Sequence, residues 1–381
     1  MMRPMKLAGE QLMFGQGCLA HLKTLKGKRA FIVSSRSALE KSGTIAAINA
    51  YLGEAGMESK VYTSVEPDPS FATVYAGAQQ MREYEPDWII AVGGGSAMDA
   101  AKAMWIYYEH PELETLEQIV PPNVIPKLRN KARLVCIPST SGSASEVSRS
   151  IVITDEKTGF KYGIGNMELM PDIAICDPEV TVTMPKSLTA YTGMDAMTHA
   201  LEAYGSQRAN YLSDILAVAA AKDIFTYLKR ACDDGSDMEA REFMLNASMT
   251  AGLAFTNVSL GIVHSMAHTL GSYFKIPHGL GDAIILPYVM AFNCRADYAK
   301  EKYDALAKII GADSLVTAVR SLNESVGIAS CVKDMIGKEQ YFARIEEMAD
   351  MAMADGCTKT NPVVPTRDEQ IELFRQIYEG V

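Results

Sequence analysis

"DWIIAVGGGSAMDAAKAM", residues 87–104, runs from an apolar, β-prone segment through three glycines into a helical pattern. Read as strand, tight turn and helix, it is one βα unit, and similar signals surround it. "KRAFIVSS" (28–35), "SKVYTSV" (59–65), "RLVCIPST" (133–140) and "DIAICDPE" (172–179) are short β-rich runs, and "SFATVYAGAQQMREY" (70–84) is a helical pattern between two of them. Strands that alternate with helices imply βαβ units and a mostly parallel sheet. "SRSIVITDEKTGFKYGIG" (148–165) differs: two β-prone runs flank a polar turn, which predicts an antiparallel hairpin. After Met184-Pro185 the strand signal stops and one helical pattern follows another to the C-terminus. The expected organisation is an α/β domain over 1–183 and an all-helical domain over 184–381.

The bulk properties exclude several classes of function. The chain has 381 residues, 48% hydrophobic and 22% charged, which suits a globular protein with a sizeable core. Lys and Arg number 36 against 46 Asp and Glu, a net charge of −10 that offers no positive field to a nucleic acid or an anionic membrane. No stretch has the length and hydropathy of a signal peptide or membrane span. The seven cysteines are scattered, with no Cys-x-x-Cys, and read as reduced thiols of a cytoplasmic protein.

The three-glycine turn predicts an anion site. Glycine lets the backbone approach a ligand closely, and the free N–H groups of the helix start point at it. The turn matches neither G-x-G-x-x-G nor the P-loop pattern. "PSTSGSASE" (138–146) follows another strand and brings hydroxyl donors to the same carboxyl edge of the sheet, where ligands of open α/β sheets bind.

The histidines point to a metal. Of six, three fall within "GIVHSMAHTLGSYFKIPHG" (261–279), as His264, His268 and His278. His264 and His268 are four apart, as are Asp195 and His199 in "GMDAMTHALEAY" (193–204), so each pair projects from one helix face. Imidazole and carboxylate without thiolate suit Fe²⁺ or Zn²⁺ and disfavour Ca²⁺ or a Cys-type zinc site. A zinc-protease reading fails, because H-E-x-x-H is absent: Ser265 and Met266 follow His264.

In order along nearly the whole chain, "FGQG", "AVGGGSAMDAAKAMW", "YYEHPE", "PSTSGSASEVS", "VITDEKTGFKY", "DPE", "MPKSLTA", "GMDAMTHALEAY" and "LGIVHSMAHTLGSYFKIPHG" resemble the iron-containing (group III) alcohol dehydrogenases. Within that family the likeness is to the alcohol dehydrogenase half of bifunctional aldehyde–alcohol dehydrogenases. The resemblance implies a Rossmann-like N-terminal domain and an all-α C-terminal domain, the fold shared with dehydroquinate synthases, with a cleft between them and commonly a homodimer. It implies NAD or NADP as cofactor, Fe²⁺ or Zn²⁺ as metal, and a small aldehyde or alcohol as substrate. Asp195, His199, His264 and His278 fall on its metal-ligand positions, and His268 on the histidine drawn as a proton relay. Gly94, Gly95, Ser96 and Asp99 match its pyrophosphate turn, Thr140, Ser141 and Ser143 its second cofactor loop, and Lys161 a cofactor-contacting lysine.

Three departures from the family pattern bear on function. Ser139 and Ser143 stand where threonine is more frequent, and Ala144 where glycine is. Ser35 stands where NAD-preferring members carry an aspartate for the adenosine ribose, with Arg36 beside it, so NADP binding is expected to be open. Arg149 and Ser150 replace apolar or amide residues near the nicotinamide end. Arg149 together with Lys275 raises an alternative substrate, an aldehyde bearing a carboxylate or sulfonate. A dehydroquinate synthase-like lyase is the other alternative, but the segment 193–282 is poor in the cations its substrate would need.

Overall fold

A computed structural model describes residues 5–35, 42–157 and 159–381. Arg36 lies outside the described residues. Residues 1–184 and 185–381 form two compact units.

In the first unit the strands are β1 (Gln11–Phe14), β2 (Arg29–Ser35), β3 (Glu58–Val65), β4 (Trp88–Gly93), β5 (Arg133–Pro138), β6 (Ser150–Thr154), β7 (Lys161–Gly165) and β8 (Ile173–Cys176). Six of them form a parallel sheet in the order β1-β8-β5-β4-β2-β3. β6 and β7 pair antiparallel as the expected hairpin, with Ile151 opposite Ile164. Helices α1 (Thr44–Glu54), α2 (Phe71–Tyr84) and α3 (Gly95–Glu109) cover the sheet. The two-residue period of a strand sends side chains to two cores. Ala30, Ile32, Ile90 and Val92 pack with Ile45, Ile48 and Leu52 of α1. Phe31, Val33, Ile89 and Ala91 pack with Val74, Ala78 and Met81 of α2 and with much of α3. Burial on both faces is why the central strands read as unbroken apolar runs. β1 escaped the sequence reading because it is a four-residue edge strand with a half-exposed pattern.

The strand order places a ligand site. The chain leaves β2 outward to β3, returns to β4 on the other side of β2, and continues through β5. The topological switch point therefore lies between β2 and β4, whose carboxyl ends carry Ser35 and Gly93.

The second unit is helical. Its helices are α4 (Lys186–Gly205), α5 (Tyr211–Asp233), α6 (Met238–Val258), α7 (Ile262–Phe274), α8 (His278–Asn293), α9 (Asp297–Ile310), α10 (Leu315–Ser325), α11 (Lys338–Phe342), α12 (Ile345–Ala354) and α13 (Arg367–Glu379). Asn210 and Ser213 close a capping box on α5, and Thr366 and Glu369 close one on α13. α4 is buried on all sides from Gly193 to Gly205 and packs along α5, α6 and α8, while α7 packs on α8 and α12. Among the described residues no helix is long and apolar enough to cross a membrane.

Candidate active site

Three polar side chains project from the interior helix α4: Asp195, His199 and Glu202, spaced four and three residues apart on one stripe and all buried. Where water is excluded, each polar group needs a partner or costs a few kcal/mol. Glu202 is partnered. Its Oε1 accepts the Val263 N–H at 2.7 Å, and its Oε2 lies 2.6 Å from His264 Nδ1. The carboxylate thus caps the first turn of α7 and orients the imidazole. Burial pushes Glu202 up to about 7, against the backbone N–H groups of α7 that favour its charge. Burial, with His199 and His268 close by, holds His264 well below the usual imidazole range. The His264 ring is therefore neutral, with Nδ1–H on Glu202 and the Nε2 lone pair aimed away from it.

That lone pair faces carboxylates and another imidazole. His264 Nε2 is 3.8 Å from Asp195 Oδ1 and 3.8 Å from Asp282 Oδ2. His278 Nε2 is 3.9 Å from Asp195 Oδ1 and 3.2 Å from Asp282 Oδ2. One ligand atom from each of Asp195, His264, His278 and Asp282 lies within 4.8 Å of all the others. Asp195 Oδ1, His264 Nε2 and both Asp282 oxygens have no hydrogen-bond partner. Ligands on a tetrahedron around one ion, with bonds near 2.1 Å, stand roughly 3.4 Å apart. The spacing and the orphaned atoms fit one bound divalent cation. Burial and the facing carboxylates of Asp195 and Glu202 push Asp282 well above the usual carboxylate range, a repulsion that a cation between them would remove.

His199 sits beside this set without joining it. Its Nε2 is 3.6 Å from Asp195 Oδ1, and its ring stacks on His264 at 4.7 Å and on Phe255 at 4.4 Å. Gly279 lets α8 approach α4, since a Cβ there would strike the Tyr191 carbonyl and lie 3.3 Å from Asp195 Cβ. His278 is the open side of the cluster, with 40% of its side chain exposed.

His268 is held apart from the donor set. Its Nδ1 is 2.8 Å from Asp355 Oδ2, its ring stacks on His278 at 5.4 Å, and 21% of its side chain is exposed. Asp355 Oδ1 accepts the Cys357 N–H at 2.8 Å. Burial alone would raise Asp355, but the hydrogen bond and charge of His268, with the Cys357 N–H, lower it to about 2. The pair presents His268 Nε2 on an open edge next to His278, an arrangement able to exchange a proton with a bound molecule.

At the sheet's switch point, α3 begins at Gly94 with no side-chain cap, which leaves its first N–H groups for a ligand. Thr140 lies against Gly94, and a side chain at Gly95 would come within 3.0 Å of Ser143 Cβ. The glycine turn and the hydroxyl-rich loop therefore abut. Ser141 Oγ is buried without a partner. Ser96 Oγ accepts the Asp68 N–H at 3.3 Å, and Lys161 Nζ pairs with Asp68 at 2.7 Å. Asp99 does not face the turn: Oδ1 accepts Ser145 Oγ–H at 2.7 Å and Oδ2 accepts the Val152 N–H at 2.9 Å. Both its oxygens are engaged by the protein, so it ties α3 to the loop at Ser145 and to the strand at Val152.

Residues 9–178 match the iron-containing alcohol dehydrogenase family, and residues 189–378 match the C-terminal family of Fe-containing alcohol dehydrogenases. The chain is 45% identical over 377 residues to an NADPH-dependent butanol dehydrogenase of Clostridium saccharobutylicum, covering 96% of each. The chain belongs to the iron-containing alcohol dehydrogenase family. It is also 36% identical to the bifunctional aldehyde-alcohol dehydrogenase of Escherichia coli, over 93% of this chain and 43% of that protein. An iron-containing alcohol dehydrogenase of Thermococcus thioreducens superposes with a TM-score of 0.93 at 34% identity, covering 99% of this chain and 100% of that one.

For an iron-containing alcohol dehydrogenase, the donor chemistry fits: imidazoles and carboxylates converge, and among the described residues no cysteine joins the set. Four residues of the site were not singled out from sequence. Asp282 had a usable signal, an acid four residues after His278 inside the apolar run "LGDAIILPYV". Glu202 lies seven residues beyond Asp195 in a motif that was noticed. Asp355 and Lys102 had none, because their partners are 87 and 43 or more residues away. Lys275 is exposed and its Nζ donates to the Ser272 carbonyl at 3.2 Å, at the end of α7.

Proposed function

We propose that this enzyme interconverts small aldehydes and primary alcohols, using NADPH or NADH and one divalent ion held by Asp195, His199, His264 and His278. When bound, the ion supplies Lewis acidity toward a carbonyl oxygen and the nicotinamide supplies the hydride. The chain's own residues do the rest. Glu202 keeps the His264 proton on Nδ1, so Nε2 stays a lone-pair donor. Asp355 holds the His268 Nδ1–H, so a proton arrives at or leaves from His268 Nε2. Gly94, Gly95 and Ser96, with Thr140, Ser141 and Ser143, hold the dinucleotide phosphates, and Lys161 lies on the same loops through Asp68. Ser35, with no carboxylate, accepts either cofactor. We propose Fe²⁺ ahead of Zn²⁺ on family grounds. A homodimer in the cytoplasm is proposed on the resemblance alone.

The observation that carries this reading is the buried cluster of donor atoms without hydrogen-bond partners, in a chain so similar to a butanol dehydrogenase. The experiment is an anaerobic assay of nicotinamide absorbance with butanal, propanal and succinic semialdehyde, with NADPH and NADH, after loading with Fe²⁺ or Zn²⁺. Turnover of the plain aldehydes is expected. Turnover of none, or of the semialdehyde alone, would overturn the substrate class.

A further inference from the structure

We propose that Asp282 is a further metal ligand in this chain, a second carboxylate on the same ion as Asp195. The proposal rests on the metal reading above and extends its donor set. Asp282 is 0% exposed, and neither of its oxygens has a hydrogen-bond partner. Its Oδ2 is 3.2 Å from His278 Nε2 and 3.8 Å from His264 Nε2. His264 cannot donate to it, because its proton is on Nδ1 against Glu202. The lone pairs of His264 Nε2 and Asp282 thus face a common point, and a cation is what satisfies both.

The helix explains the placement. His278 and Asp282 are four apart on α8, as Asp195 and His199 are on α4, so each helix offers one imidazole and one carboxylate. Asp282 belongs to the mutually close set and His199 does not. Two carboxylates cancel a divalent charge, so with neutral imidazoles the occupied site is uncharged, and the added oxygen donor favours harder ions.

The test uses the full chain stripped of metal, titrated with Co²⁺ against a competing chelator while visible bands are recorded. Asp282→Asn is expected to weaken affinity by more than about 100-fold, beyond the range of residues that only orient a ligand. It is also expected to shift the cobalt bands, because the donor set changes. Stripped of metal, the variant should unfold at no lower temperature than the unmutated chain, since a buried carboxyl facing the carboxylates of Asp195 and Glu202 is replaced by a neutral amide. Affinity within tenfold, or weaker binding with unchanged bands, would overturn the proposal while leaving the site itself standing. An unmutated chain that takes up no cobalt would bring down the metal reading and this proposal together.

Discussion

Each unit buries a polar cluster, and the two are finished differently. In the first, Lys102 is 0% exposed, yet its Nζ meets the Ser145 carbonyl at 2.7 Å, Ser145 Oγ at 2.9 Å and the Ser148 carbonyl at 2.8 Å. Asp99 beside it has both oxygens filled. Burial lowers the lysine's pKa, and Asp99 pulls against that. In the second unit, Asp195, His264 and Asp282 are just as buried, and Asp195 Oδ1, His264 Nε2 and both Asp282 oxygens have no hydrogen-bond partner. A buried polar group costs free energy unless paired. The filled cluster is satisfied from within the chain and ties α3 to the loop that carries Ser145 and Ser148. The second cluster instead turns imidazole and carboxylate donor atoms toward one another, the chemistry that suits a cation. Glu146, next to Lys102, is the exception within the first cluster: its carboxyl oxygens have no hydrogen-bond partner, and burial pushes it up to about 7.

The comparison breaks first at His264. His264→Ala should abolish bound metal and lower turnover about a thousand-fold or more, since the metal's share of transition-state stabilisation is several kcal/mol. The metal-free protein should keep its fold. Full metal content and turnover in that variant would contradict the assignment. Lys102→Met is the converse. It strands the carbonyls that Lys102 joins and should cost about 3 kcal/mol in urea unfolding, with metal stoichiometry unchanged. A variant that keeps its stability but loses metal would reverse the roles of the two clusters.

His268→Ala sharpens the division inside the second unit. It should keep the metal and lose on the order of 100-fold in kcat, the usual worth of a general acid–base group. Loss of metal instead would make His268 a ligand. Ser35→Asp is the smallest change. Restoring a ribose partner and repelling a 2′-phosphate should shift the kcat/KM ratio toward NADH by roughly tenfold. An unmutated enzyme inactive with NADPH would refute the reading of Ser35.

Much of this was legible in sequence because it is local. The parallel sheet follows from apolar runs interrupted by helical patterns, and the switch to helices after Met184 follows from the end of those runs. The i, i+4 spacings of Asp195 with His199 and of His264 with His268 disclose shared helix faces. What stayed hidden depends on partners distant in sequence. Lys102 reads as an ordinary helix lysine until Ser145 and Ser148 fold over it, and Asp355 as a loop acid until it meets His268. Asp99 is assigned to the phosphate turn by the family resemblance alone. Its position on α3 instead turns the carboxylate to Ser145 and Val152.

The central claim is that the donor cluster of α4, α7 and α8 holds one metal ion. Anomalous diffraction at the iron edge, from crystals of the chain loaded with Fe²⁺, tests it most directly. The account predicts a single peak per chain, about 2.0–2.2 Å from Asp195, His199, His264 and His278. No peak there, or a peak only at another site, would contradict it.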